Sequence, residues 1–138
     1  MKPDLAFRFA VVSDLHIGLP HTIYDHPSRF HLVEWSIPAF ESVCAHLKSL
    51  DLDFILIPGD LTQHGEPDNH RWVSQFLESL PFPAYVIPGN HDTPVAEADG
   101  TSIAPQKFAE FYRPFGYEQA SDFQDYCQSL LPGVTLIG

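Results

Sequence analysis

The stretch "VIPGNHD" (86–92) has an earlier echo in "LIPGD" (56–60). Each is an apolar run that stops at Ile-Pro-Gly and then presents a polar residue, Asp60 in one case and Asn90 in the other. Proline has no N–H to donate, so a strand ladder stops there. Glycine then turns sharply and leaves room near the backbone for an ion or a phosphate. A single Pro-Gly reads as a plain strand-ending turn. Two of them, each followed by a ligand-type residue, read as two strands that end on one shared site.

Working outward, "FRFAVVS" (7–13) reads as a first strand from its Phe and Val content, "DFILI" (53–57) as a second and "AYVI" (84–87) as a third. The continuous apolar run of the second is what a buried parallel strand requires. Between them lie two helical patterns. One opens at Pro38 and repeats through Phe40, Val43, Cys44, Leu47 and Leu50; the other opens at Pro67 and repeats through Trp72, Val73, Phe76, Leu77 and Leu80. The order β-α-β-α-β makes two crossover units, so an α/β fold with a parallel sheet flanked by helices is predicted. Further on, Pro105 opens a short helix through Phe108, Phe111 and Tyr112 that closes before Pro114. Two strands are expected around the Pro132-Gly133 turn.

The 138 residues suit a single domain. A net charge of −11 with only seven Lys and Arg, and no basic cluster, argues against a nucleic-acid surface. No run approaches the ~20 apolar residues of a membrane span, and the N-terminal apolar run is too short for a signal sequence, so a soluble cytoplasmic protein is expected. Cys44 and Cys127 read as small buried hydrophobes in a reducing compartment. Eight histidines against seven Lys plus Arg favour metal chemistry.

Three strand ends now carry polar groups: Asp14 and His16, then Asp60, then Asn90, His91 and Asp92. Ligands of open parallel sheets gather beyond the carboxyl ends of the strands, so these residues should converge. Asp14 and His16 lie two apart, which on an extended strand end points both side chains one way. A carboxylate with an imidazole suits Fe, Mn, Co or Zn better than Ca. Asp60 could give one oxygen to each of two cations, and Asn90 could give a neutral carbonyl to one.

Together "DLH" (14–16), "GDLT" (59–62) and "GNHD" (89–92) resemble the first three motifs of the calcineurin-like metallophosphoesterases. The segment from "GDLT" to "PGNHD" looks most like the class III cyclic-nucleotide phosphodiesterase branch. The resemblance implies the first half of a two-sheet αββα sandwich and a metal-dependent phosphoester hydrolase acting on a small-molecule phosphodiester. It implies that Asp14 and His16 ligate a first metal, Asp60 bridges two, and Asn90 ligates the second and meets substrate. His91 would face the phosphate and stabilise it or protonate the leaving oxygen, and Asp92 would orient His91 by a hydrogen bond. Two ions about 3.5–4 Å apart would activate a bridging hydroxide for in-line attack.

The chain also departs from that pattern. Family members carry further metal-binding histidines downstream, and no histidine follows His91 here. The chain therefore reads as the N-terminal portion of such a domain, ending within a strand, with a homo-oligomer or a completing chain as possible partners. The alternative is a truncated or degenerate, non-catalytic domain that binds a metal or a partner. The other candidates read blandly: His21, His26 and His31 as solvated loop residues, His64 as a surface loop residue rather than a substrate contact, His46 and His70 as exposed helical residues, and Trp35 and Trp72 as packing.

Overall fold

Strand β2 (Phe54–Pro58) is the middle of a three-stranded sheet in the computed structural model, which describes residues 7–25, 32–95, 97, 99–118 and 125–138. It pairs in parallel with β1 (Phe9–Val11) on one side and β3 (Ala84–Ile87) on the other. Phe54, Ile55 and Ile57 are buried, as a central strand covered on both faces demands. β1 is shorter than its apolar run suggested, and Phe9 and Val11 on this edge strand are exposed.

Helix α1 (Ser36–Leu47) follows a 3-10 turn at Val33–Trp35. It starts two residues ahead of Pro38. A proline fits anywhere in the first turn, because the N–H groups there have no intrahelical partner. Its buried face is Phe40, Cys44 and Leu47, whereas Val43 and Leu50 are exposed. Trp35 is 67% exposed and is not a packing residue, correcting that expectation. Trp72 does pack, stacked on Phe76 at 5.1 Å.

Helix α2 (Pro67–Glu78) begins at its proline, as expected, and buries Asn69, His70, Val73 and Leu77. Helix α3 (Pro105–Phe111) ends before Pro114, which sits in a 3-10 turn at Arg113–Phe115. β4 (Cys127–Leu131) and β5 (Val134–Ile137) form an antiparallel hairpin around Pro132-Gly133. Cys44 is buried but Cys127 is exposed, so the buried reading holds for one cysteine only; both are free thiols. Among the described residues no helix is long and apolar enough to cross a membrane.

His70 is fully buried, against expectation. It stands three residues before Val73 and seven before Leu77, on the apolar stripe itself, so the helical period rather than its polarity decided its place. Its Nε2 donates to the Asp92 carbonyl (3.0 Å) and its Nδ1 accepts from the Tyr112 hydroxyl (2.9 Å). The neutral Nε2–H tautomer satisfies both partners. Burial pushes this imidazole down to about 4, against a smaller upward pull from the Asp92 backbone.

The unfolded chain, titrating near 6.5, binds the proton first, so this contribution is present above pH 6.5 and is lost as pH falls toward 4. Urea titrations of the native chain and His70→Gln should therefore show the native advantage shrinking by about 3 kcal/mol between pH 7 and pH 4. The difference isolates the histidine, because other titrating groups are common to both chains. A pH-independent difference would mean that His70 is not held neutral.

Candidate metal centre

The backbones of the two loops that leave β1 and β2 run side by side beyond the strands. Asp14 N–H donates to the Gly59 carbonyl, His16 N–H to Asp60 (2.9 Å) and Ile17 N–H to Leu61 (2.9 Å), and an isolated parallel bridge joins Ile17 to Thr62. This pairing brings Asp14, His16 and Asp60 together. Each offers one ligand atom, and these atoms lie within 4.8 Å of one another.

The convergence does not come from an extended strand end. Asp14 (φ 58), His16 (φ 44) and Asp60 (φ 51) are all in the left-handed region, and they are the non-glycine residues found there among the described residues. That conformation costs on the order of 1 kcal/mol for each non-glycine residue and clusters at functional sites. Three strained residues that are also the three grouped donor residues indicate loops shaped to aim side chains.

The echoing Pro-Gly pairs have a further purpose here. A Cβ on Gly59 would sit 2.9 Å from Gly89 Cα, and one on Gly89 would sit 2.2 Å from Asp60 Oδ1. The two glycines are packed against each other. Their lack of side chains lets the ends of β2 and β3 close up, so that Asp60 Oδ1 accepts from the His91 N–H at 3.0 Å.

Asp92 is fully buried. Its carboxylate accepts from Leu61 N–H (3.1 Å), Thr62 N–H (2.8 Å), Thr62 Oγ1 (3.0 Å) and Gly89 N–H (2.9 Å). Burial pushes this carboxyl up to about 6, although the four donors pull it down. These bonds correct the expected role. Asp92 does not hold the His91 ring; its oxygens are spent fastening the Asp60 loop to the Asn90 loop. The His91 ring is held instead by Gln63, whose carbonyl lies 2.6 Å from Nδ1. A carbonyl only accepts, so Nδ1 carries the proton and Nε2 is left for a ligand.

The site is a cluster of rings and carboxylates. His16 and His91 meet edge to face at 4.6 Å, and His16 Nε2 is 3.9 Å from Asp60 Oδ2. Burial and then the adjacent His91 hold His16 below its ordinary value, with Asp60 and Asp14 pulling the other way. A neutral imidazole has a lone pair to give a cation. Nitrogen and carboxylate donors grouped this closely fit a transition-type ion.

Asn90 is exposed in the turn before His91. His64 is buried rather than at the surface, with Tyr24 stacked on it at 5.2 Å and the His91 ring at 5.9 Å. His21 pairs with Asp68 at 3.0 Å and His46 is exposed, while His26 and His31 lie outside the described residues. Sequence reasoning missed Thr62, Gln63, Glu66 and Asn69, which hold the loops. Their signal was indirect: four polar residues in and just after the Asp60 loop, leading onto an apolar helix face.

A family model described as calcineurin-like phosphoesterase matches residues 7–136. A 3',5'-cyclic-nucleotide phosphodiesterase of Nostoc sp. is 29% identical over 98 residues, covering 70% of this chain and 35% of that protein. A probable cyclic nucleotide phosphodiesterase of Synechococcus sp. is 37% identical over 57 residues, 41% of this chain and 22% of the relative. A glycerophosphodiester phosphodiesterase of Enterobacter lignolyticus is 30% identical over 73 residues, 53% of this chain and 22% of the relative. The chain thus spans about a third or less of the length of these relatives. With the three motif loops joined at one cluster and the match running over nearly its whole length, the chain belongs to the calcineurin-like phosphoesterase family.

Proposed function

We propose that this chain carries the metal-binding half of a phosphodiesterase site, with small cyclic-nucleotide-type phosphodiesters as the substrate class. The grouping of Asp14, His16 and Asp60, all in left-handed backbone, carries the reading. The phosphodiesterase names of the relatives support the substrate class. Asp14, His16 and Asp60 would hold the metal, with Asn90 as a further oxygen donor where a second ion is bound, and Fe, Mn, Zn or Co would suit these donors. Such ions supply activation of water and neutralisation of the phosphoryl oxygens.

The chain's own groups do the rest. His91, with its Nδ1 proton committed to Gln63, turns Nε2 to the phosphate; once protonated, Nε2 holds a phosphoryl oxygen or passes the proton to the leaving oxygen. Asn90, beside it in the turn, offers an amide to the same group. Asp92 keeps the two loops in register. A domain covering 1–138, completed by further chain or by a second copy, and a cytoplasmic setting belong to the same proposal.

Release of p-nitrophenolate from bis(p-nitrophenyl) phosphate by the metal-loaded chain tests it. Turnover that disappears with chelator and returns with Mn or Zn is expected. A folded, metal-loaded chain with no turnover would assign the chain to the non-catalytic alternative.

A further inference from the structure

One buried pair outside the ligand set ties the site together. Asn69, on α2, is fully buried. Its Oδ1 accepts from Leu19 N–H (3.0 Å) and Thr22 Oγ1 (3.1 Å), both in the loop that leaves Asp14 and His16. Its Nδ2 donates to Glu66 Oε2 (2.8 Å). The same oxygen of Glu66, itself buried at the start of α2, accepts from His64 N–H (2.9 Å). The peptide bond that supplies this N–H is the one whose carbonyl, from Gln63, receives the proton of the His91 ring. A continuous path therefore runs from the first loop through Asn69, Glu66 and the 63–64 peptide to His91. Because the peptide unit is planar, fixing its N–H fixes the direction of its C=O.

We propose that Glu66, held by Asn69, is a positioning residue of this site: it sets the peptide that orients the His91 ring and so the direction of Nε2. The inference rests on the phosphoester reading for its phosphate readout but not for its ring readout. Placing a carboxylate oxygen where two N–H donors converge is favourable in a buried setting, and the bonds to it are stronger than neutral ones. What they supply here is a direction for the Gln63 carbonyl.

The test uses histidine-ring 1H–15N spectra of the 138-residue chain with stoichiometric Zn2+, titrated with inorganic phosphate, with thermal unfolding recorded alongside. In Glu66→Ala the His91 Nδ1–H signal should move toward that of a mobile ring, and phosphate should bind about tenfold more weakly, the worth of one lost charge-assisted hydrogen bond. Glu66→Gln presents an amide oxygen to the same two donors and should restore both readouts to within about twofold. Should Glu66→Ala fail to fold, Glu66→Asp, with its carboxylate drawn back by one methylene, should reproduce its effect. Unchanged His91 signals in Glu66→Ala or Glu66→Asp would overturn the proposal, as would a Gln variant as impaired as the Ala one. Normal His91 signals with no phosphate response in the native chain would remove the phosphoester reading, while the ring comparison among variants would still decide the positioning role.

Discussion

Asp60→Asn should abolish both metal retention and phosphodiester hydrolysis while leaving the fold intact. Asparagine tolerates the left-handed backbone at this position about as well as aspartate does. Its amide oxygen can still accept from His91 N–H, so the contact between the two loops survives. What disappears is the negative charge and the second anionic oxygen at the centre of the Asp14–His16–Asp60 group. Affinity should fall more than about 100-fold, since even partners one bond removed from metal ligands cost 10–100-fold. Asn90→Asp, which keeps an oxygen donor, should lose much less turnover than Asp60→Asn. Rates near the native value in both variants would end the idea of a carboxylate bridge.

The second large effect is on stability. Asp92→Ala would leave three backbone N–H groups and the Thr62 hydroxyl without their acceptor. Each stranded buried donor costs ~1–3 kcal/mol. With partial relaxation a loss of about 4 kcal/mol is expected, which lowers Tm by about 14 °C for a chain of this size. Asp92→Asn should fall between, because its amide oxygen can keep one pair of donors while its NH2 opposes the other. Calorimetry of the three chains should rank them native, Asn, Ala. An Ala variant that melts with the native chain would mean that the two loops are fastened by other groups.

The parallel three-stranded sheet, the Pro67 and Pro105 helix starts and the hairpin around Pro132-Gly133 were all legible in the sequence. Each depends on a local rule: apolar runs for strands, a proline in the first helical turn, a Pro-Gly turn. The convergence of Asp14, His16 and Asp60 was legible as well, because strand ends of a parallel sheet share one edge.

The means of convergence was not. An alternation rule placed Asp14 and His16 on one side of an extended strand, whereas both adopt left-handed backbone after β1 has ended. Residue type signals left-handed backbone only weakly, through its enrichment at Asp, Asn and His, and here the pairing of two loops imposes it. His70 and Asp92 were misread for a related reason. Polarity suggested an exposed helix position for His70, and the family resemblance implied a bond from Asp92 to the adjacent histidine. Burial instead sent each to partners distant in sequence, Tyr112 for one and the 61–62 backbone for the other. Buried polar groups go where their hydrogen bonds can be completed, and that depends on tertiary neighbours.

The most direct test of the central claim is the metal content of the folded chain. The native chain and Asp60→Asn would be exposed to Mn2+ or Zn2+, desalted, and weighed by native mass spectrometry. The clustered Asp14, His16 and Asp60 predict at least one metal ion retained per native chain and none on Asp60→Asn. A native chain that emerges without metal, or a variant that retains as much as the native chain, would contradict the assignment of this cluster as the metal centre.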